Sequence, residues 1–306
     1  MFIKMAAPIE RKSEHTASEH SSQKRKKDGS YIKHGRKPDK SAVNVNENSA
    51  IIAAFRSYQK ELDEKHDKYE RLVKLSRDVT IESKRVIFLL HRISSEDTCE
   101  AILKEADEKI CQIGKKLKGI AVELEGEDPY RFLRAYTNGL QEYIEAISFY
   151  EYILNKQLLT MKTTEEKLTF KVPITKEETS EKDKNQKQTE AVETRQIQLQ
   201  LPPVEYVLGL ADLTGELMRY CINSIGHGNI KKPFELVSFM REIYEGFSLC
   251  SASASRELKQ KMETMRRSLR KVENTCYTLQ VRGSEIPKHM LMDAITAEPQ
   301  TEEAAL

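Results

Sequence analysis

The sequence predicts an all-α protein, and three observations lead to that prediction. Apolar residues recur at intervals of three and four, as in Phe55, Tyr58 and Leu62, which is the spacing of one helix face. Glycine and proline are both absent from residues 49–113, so nothing in that stretch interrupts a long helix. No segment shows the alternating pattern of a β-strand bounded by turn residues. We therefore expect long helices packed against one another.

The first 46 residues precede the helical pattern and differ from it in composition. They contain 11 Lys and Arg residues against 5 Asp and Glu residues, and few large apolar side chains. Such a segment cannot bury enough apolar surface to fold, so we predict a disordered basic arm over residues 1–46. The helical domain is expected over residues 47–293, followed by a frayed tail over residues 294–306. Because the whole chain carries a net charge of +2, the part after the arm is mildly acidic.

Two clusters of basic residues lie in this arm and are separated by 11 residues. The first cluster is Arg11 and Lys12, and the second is Lys24, Arg25, Lys26 and Lys27. This spacing suits a bipartite nuclear import signal, which predicts a protein present in both cytoplasm and nucleus. The alternative is a solvated basic tail that contacts nucleic acid through its charge alone.

Proline, glycine and capping residues bound the predicted helices in chain order. One or two long helices are expected from residue 51 to residue 93, because the helical spacing continues through Ile87 and Leu90. Later helices are expected over residues 95–124, 129–159, 202–223, 233–246 and 253–281, with a short last helix starting near residue 287. Residues 171–200 are rich in Lys, Glu, Gln, Thr and Asp, so we predict a mobile charged insertion without regular structure.

The composition excludes several classes of protein. The five cysteines are widely spaced and form no CxxC pair, which indicates reduced core cysteines of a cytosolic or nuclear protein. No stretch approaches the roughly 18 apolar residues that a membrane-spanning helix needs, and the N-terminus lacks the apolar segment of a signal peptide. Neither a glycine-rich phosphate loop nor the G-x-S-x-G pattern of serine hydrolases occurs.

The predicted helix over residues 129–159 carries two acidic residues in apolar surroundings. Placing residues at about 100° intervals puts Tyr143 and Ile147 on one face and Phe149 on the opposite face, so both sides are mostly apolar. Both sides of this helix should therefore be covered by protein. Glu142 and Glu145 then lie one turn apart among apolar neighbours, where a carboxylate is costly unless something compensates its charge.

The predicted helix over residues 202–223 is apolar around most of its circumference, and its polar residues fall on one narrow stripe. Asp212 and Glu216 lie four residues apart on this stripe, so their carboxylates are neighbours. Gly209, one turn before Asp212, would let another element approach the backbone closely.

Two acidic stripes that face each other would form a site made only of oxygen ligands. Such a site favours Mg²⁺, Mn²⁺ or Ca²⁺, and two-metal phosphodiesterases hold their ions with clusters of acids. The alternative is that these acids are solvated or form salt bridges with Lys and Arg. A ferritin-like di-iron site is disfavoured, because these helices lack a Glu-x-x-His motif. The scattered histidines are interpreted as structural: His66, His91, His227 and His289.

A strip of basic residues runs along the first predicted helix, with Tyr69 among them. Such a strip can follow a phosphate backbone. It can equally be an ordinary solvated face, because acidic residues such as Asp67 and Glu70 are interleaved. The residues we select as candidate nucleic-acid contacts are Lys68, Arg71, Lys74 and Arg77.

Several unusual segments resemble the translin family, and within it the X-type subunits. They are HDKYERLVKLSRD at residues 66–78, IFLLHRI at 87–93, GLQEYIEAISF at 139–149, ADLTGELMR at 211–219, KVENTCY at 271–277 and VRGSEIPKHML at 281–291. The resemblance extends over roughly residues 50–293. It implies a seven-helix translin-like bundle that assembles with translin into a closed hetero-oligomer, commonly an octamer.

The resemblance also implies a function and assigns the acids to it. X-type subunits supply the catalytic acids of a metal-dependent endoribonuclease that cleaves single-stranded or nicked RNA, in passenger-strand removal and in transfer-RNA fragment processing. The family's catalytic acids fall on Glu142, Glu145 and Asp212, and Glu216 matches a further metal-ligand position. The implied metal is Mg²⁺, with Mn²⁺ as an alternative, and single-stranded DNA is a second candidate ligand.

Two other functions remain open from the sequence. The chain could be a non-catalytic adaptor that binds translin and nucleic acid, in which case the acids would form salt bridges between helices. It could also be a helical scaffold with many protein partners, for which only the arm and the charged insertion give support.

Overall fold

The structure, a computed structural model, describes residues 49–93, 96–173, 194–250 and 255–283, together with residues 285 and 290. Within these ranges lie seven helices and one pair of strands, which confirms the predicted helical class. In chain order they are α1 (Ala50–Leu90), α2 (Glu96–Glu123), α3 (Leu133–Asn155), α4 (Met161–Lys167), β1 (Thr169–Pro173), β2 (Thr194–Gln198), α5 (Pro203–Gly226), α6 (Lys232–Leu249) and α7 (Arg256–Arg282). None of the described helices is both long enough and apolar enough to cross a membrane.

Helix α1 is a single helix of 41 residues, as the absence of glycine and proline allows. The chain divides into two compact units after Ala54. The described part of the first unit, residues 49–54, contains only the first turn of α1. The rest of α1 and all other described elements belong to the second unit. The apolar residues Phe55, Tyr58 and Leu62 are exposed. Leu72 is completely buried, and the other apolar residues that face the core from the second half of the helix are buried as well. Only this second half of α1 is therefore part of the core.

Helix α3 ends earlier than the sequence predicts. Lys156 adopts a left-handed conformation with φ of 58° and closes the helix through its backbone N–H, which donates to the carbonyl of Tyr152. A separate short helix, α4, then begins after Thr160, whose Oγ1 accepts a hydrogen bond from the N–H of Thr163 at 3.1 Å. Apolar residues resume at Leu158 and Leu159 directly after the polar residues 155–157, so the helical spacing gave no clear end to α3.

The prediction that residues 171–200 lack regular structure is wrong at both ends of that segment. Strands β1 and β2 pair in an antiparallel manner, with Phe170 opposite Ile197 and Pro173 opposite Thr194. A two-pronged ion pair between Arg195 and Glu125, two residues after the end of α2, ties β2 to the helical body. The strands were missed because their apolar alternation spans only two or three positions among charged residues. The basic arm, the centre of the insertion, the predicted last helix and the tail lie outside the described residues.

The cysteines are all free, but only some of them belong to the core. Cys221 and Cys276 are buried and Cys99 is partly buried, whereas Cys111 and Cys250 are exposed. The interpretation as core cysteines is therefore wrong for Cys111, on an exposed position of α2, and for Cys250, directly after the end of α6.

Helices α3 and α5 pack so closely that a glycine is needed between them. A Cβ atom on Gly209 would lie 2.8 Å from Cβ of Ile144 and 3.0 Å from the carbonyl oxygen of Gln141. The close approach predicted at Gly209 is confirmed, and the approaching element is α3. This contact fixes the separation of the two helices that carry the acids.

Candidate functional site

The four predicted acids line one cleft of about 440 Å³. Glu142 and Glu145 reach it from α3, and Asp212 and Glu216 reach it from α5. Helix α1 and helix α7 complete the walls with side chains that are mostly basic or apolar. From these two helices come Lys84, Ile87, Phe88, Lys261 and Thr264, and Arg219 lines the cleft from α5. We call this space the acid cleft.

Glu145 is the most buried of the four acids, with 9% of its surface exposed. It forms no hydrogen bond or ion pair with another described side chain. Burial, together with the nearby carboxylates of Asp212, Glu142 and Glu216, raises the pKa of Glu145 to about 8, and Lys261 opposes this shift. A carboxyl group in this position keeps its proton at neutral pH unless a cation compensates its charge.

This raised pKa predicts how stability depends on pH when no metal is present. The ordinary pKa of 4.5 applies in the unfolded chain, so the folded state binds the proton more tightly. The stabilising contribution of protonated Glu145 is therefore complete below pH 4.5 and is lost as the pH rises through about 8. In the presence of a chelator, we expect Glu145→Gln to become progressively more stable than the wild type across this window, by an amount on the order of a few kcal/mol.

The measurement is the free energy of unfolding of both proteins from pH 4.5 to pH 9. Because all other titrating groups are shared, only the difference between the two curves reports on Glu145. Parallel curves would contradict the assigned burial of this carboxyl group.

The other three acids are each paired with a basic side chain. Nζ of Lys84 lies 3.0 Å from Oε1 of Glu142, and this pairing raises the pKa of Lys84. Nζ of Lys261 lies 2.6 Å from Oδ2 of Asp212. Glu216 is approached from two sides and is described separately. The salt bridges considered as an alternative are therefore present at three acids and absent at Glu145.

Glu216 is held between a histidine and an arginine. Nε2 of His91 lies 2.5 Å from Oε2 of Glu216, and Nη1 of Arg219 lies 3.2 Å from the same oxygen. A carboxylate only accepts hydrogen bonds, so the hydrogen of His91 belongs on Nε2. The ring of His91 also packs on Phe149, with ring centroids 4.9 Å apart. This histidine is therefore both packed in the core and in contact with the site.

A hydrogen-bond network positions Lys261 behind Asp212. Nζ of Lys261 donates to Oε1 of Gln141 at 2.9 Å and to the carbonyl oxygen of Leu208 at 3.2 Å. The amide nitrogen of Gln141 in turn donates to the buried carboxylate of Glu205 at 2.6 Å, and Thr137 donates to the same oxygen. Glu205 thus orients Gln141, and Gln141 helps to orient Lys261.

The acids supply the hard oxygen donors that Mg²⁺ or Mn²⁺ prefers, so the donor set fits such an ion chemically. In their present orientations, however, no three Asp, Glu, His or Cys side chains of the described ranges are arranged to hold a metal. Three of the carboxylates point toward basic partners instead. Holding a metal would therefore require these side chains to turn away from Lys84, Lys261 and Arg219.

The four candidate nucleic-acid contacts of the basic strip on α1 lie outside the acid cleft. Lys68 pairs with Glu127 at 2.7 Å, and Arg71 makes two hydrogen bonds to Glu123, so these two charges are neutralised by the helical body. Lys74 and Arg77 are exposed. A role for the strip in nucleic-acid binding stays a prediction, and the predicted import signal lies outside the described residues.

The residues that sequence reasoning missed come from elements distant in the chain. Lys261 is on α7 and belongs to a run of alternating charges that gives no sign of its inward direction. His91 stands within the apolar segment IFLLHRI, and its burial there was a usable signal. Phe88 belongs to the same segment, but periodicity does not show that it is exposed.

Comparisons with known proteins agree with this architecture. A model of the translin family matches residues 67–283. The chain is 50% identical over 250 residues to Translin-associated protein X of Mus musculus, covering 82% of this chain and 85% of the mouse protein. It is 31% identical over 254 residues to Translin-associated protein X homolog of Schizosaccharomyces pombe, covering 81% and 96% of the two chains. Against Translin of Mus musculus the identity is 22% over 237 residues, covering 76% and 94%.

Solved structures share the same helical arrangement. AfC3PO in complex with duplex RNA superposes with a TM-score of 0.55 at 18% identity, covering 76% of this chain and all of the other. The apo form of NeC3PO superposes with a TM-score of 0.52 at 19% identity, covering 72% and 94% of the two chains. Identities this low show a common fold, and the translin-like bundle predicted from the sequence is confirmed.

Proposed function

The chain belongs to the translin family, and on that premise we propose that it is the catalytic subunit of a metal-dependent endoribonuclease formed with translin. The observation that carries the proposal is the acid cleft, where carboxylates from α3 and α5 meet and Glu145 is buried without a basic partner. A buried acid without a partner is costly for a purely structural site. It is expected where a cation binds during function.

Glu142, Glu145, Asp212 and Glu216 would hold the metal, which we propose to be Mg²⁺, with Mn²⁺ as an alternative. When bound, the ion supplies Lewis-acid stabilisation of the charge that develops on the phosphate oxygens. Lys84 and Arg219 are about half exposed, whereas Glu145 lies at the floor of the cleft. These two cations can therefore attract a phosphodiester to the site and hold it above the acids.

The proposed partner is translin, in a hetero-oligomer that we expect to be octameric. The exposed apolar stripe of Phe55, Tyr58 and Leu62 supports a partner, because such stripes on isolated chains are usually covered in assemblies. The proposed substrate is single-stranded or nicked RNA, with single-stranded DNA as a second ligand, and AfC3PO was solved with duplex RNA. We propose a location in both cytoplasm and nucleus.

The test is RNA cleavage by the complex purified with its translin partner. Single-stranded RNA should be cleaved when Mg²⁺ is titrated in, and EDTA should stop cleavage while RNA binding persists. Binding without cleavage at any Mg²⁺ or Mn²⁺ concentration would instead favour the non-catalytic adaptor. The salt bridges at three of the four acids are the specific observation that favours this second candidate.

Lys261 is predicted to compete with a metal for Asp212. Its ammonium group lies 2.6 Å from Oδ2 of Asp212, so an ion at that oxygen has to displace it or share the oxygen with it. We expect Lys261→Met to bind Mn²⁺ about tenfold more tightly, which corresponds to about 1.4 kcal/mol. The measurement is calorimetric titration of the purified complex with Mn²⁺ alone.

Lys259 provides the matched control, because it is an exposed lysine on the same helix. Lys259→Met should bind Mn²⁺ as the wild type does. Equal affinities for all three proteins would show that Lys261 does not compete for the metal.

A further inference from the structure

Phe88 is an exposed aromatic side chain beside the acids. Its neighbours Ile87 and Leu89 are buried, but 65% of the Phe88 surface is exposed. The ring takes no part in the aromatic pairs formed among the described residues. It lines the acid cleft on the wall that α1 contributes. Packing of this chain therefore does not account for its position, and a ligand in the cleft would touch it.

Basic side chains share the cleft with the exposed ring or follow it along the chain. Lys84 precedes Phe88 by one helical turn, and Arg219 lines the same cleft from α5. Arg92 follows one turn later, just past the end of α1, and is also exposed. Alternation of cations with an aromatic ring is typical of surfaces that bind single-stranded nucleic acid, where the cations follow the phosphates and the ring stacks on a base. A small anion would not need the ring, and an apolar ligand would not need the cations.

We infer that Phe88 stacks on an unpaired base of the RNA, next to the phosphodiester held above the acids, and thereby selects single-stranded RNA. Lys84 and Arg219 bind the backbone on either side of that nucleotide. A base inside a duplex has both faces covered by its neighbours and offers none to Phe88, so a paired nucleotide must first leave the helix. The inference rests on the proposed function, because that function places the phosphodiester in the acid cleft.

The experiment uses the complex with translin in the presence of EDTA, so that RNA binds but is not cleaved. The probe is a single-stranded RNA oligonucleotide that contains 2-aminopurine, whose fluorescence is quenched when the base stacks on a ring. A fully paired duplex of the same sequence is measured in parallel. We expect Phe88→Ala to bind the single strand about tenfold more weakly and to lose the quenching, with duplex affinity unchanged.

Three further variants separate stacking from other effects. Phe88→Tyr keeps the aromatic face and should behave as the wild type. Phe88→Leu keeps apolar volume without an aromatic face and should behave as Phe88→Ala. Tyr277→Ala removes an aromatic residue that is 68% exposed on α7 and does not line the cleft, so it should leave RNA binding unchanged.

Wild-type affinity and quenching in Phe88→Ala would overturn the inference, and so would an equal loss of affinity for single strand and duplex. Loss of the assembled complex in sedimentation, for Phe88→Ala and Phe88→Leu but not for Phe88→Tyr, would assign the ring to a protein contact and also overturn it. The two proposals fail separately. Mg²⁺-dependent cleavage by a complex whose Phe88 does not stack would reject only the stacking. Stacking by a complex that never cleaves would reject the nuclease.

Discussion

Glu145→Gln is expected to lower the rate of RNA cleavage by the translin complex by about 1,000-fold or more, which corresponds to roughly 4 kcal/mol of lost transition-state stabilisation. Glutamine has nearly the same volume, but its amide lacks the negative charge that a bound Mg²⁺ requires. The complex should still assemble, because the substitution removes a carboxyl group whose ionised form is disfavoured by burial. Cleavage of single-stranded RNA at saturating Mg²⁺ and sedimentation of the complex are the two measurements.

Glu151 lies on the same helix outside the acid cleft and gives the matched control. Glu151→Gln should cleave RNA as the wild type does. Full activity of Glu145→Gln, with the metal dependence of the wild type, would show that this carboxylate does not act in cleavage. Failure of Glu145→Gln to assemble would show that Glu145 supports the assembly.

Gly209→Ala is expected to impair both stability and activity. The new methyl group would lie 2.8 Å from Cβ of Ile144, so α5 has to move away from α3 by about 1 Å to reach an ordinary contact distance. Overpacking of this kind costs about 1–3 kcal/mol of folding stability, which the better helix propensity of alanine offsets by about 0.5–1 kcal/mol. Because the two acid pairs would separate, cleavage should fall by about 100-fold.

Gly114 on α2 is the control, because a Cβ atom placed there meets nothing within 4 Å. Gly114→Ala should be slightly more stable than the wild type, by about 0.5–1 kcal/mol, and should cleave RNA normally. Thermal unfolding and the same cleavage assay measure both variants. Unchanged stability and activity in Gly209→Ala would mean that the spacing of α3 and α5 does not control the site.

The long helices could be predicted because their limits are set by local features. Glycine and proline are absent through α1, and a proline lies in the first turn of both α5 and α6. The acids of α3 and α5 could also be found, because a carboxylate within an apolar circumference is visible on a helical projection. Gly209 could be singled out in the same way, although its partner helix could not be named.

The partners of the acids could not be predicted, because they depend on how distant elements meet. Lys261 is separated from Asp212 by 49 positions, and His91 from Glu216 by 125. Nothing local distinguishes Lys261 from Lys259, although only the former is part of the acid cleft. Predicting which acid lacks a partner requires the packing of α1 and α7 on α3 and α5.

The pairing of β1 with β2 bears on how this protein can be engineered. Pro173 and Thr194 are neighbours across the ladder, so the two ends of the intervening stretch are held together whatever its length. Doubling the length of a flexible loop costs only about 0.6 kcal/mol once its ends are fixed. A fluorescent reporter domain inserted between these strands should therefore leave α5 in place, which would allow complex assembly to be followed in living cells.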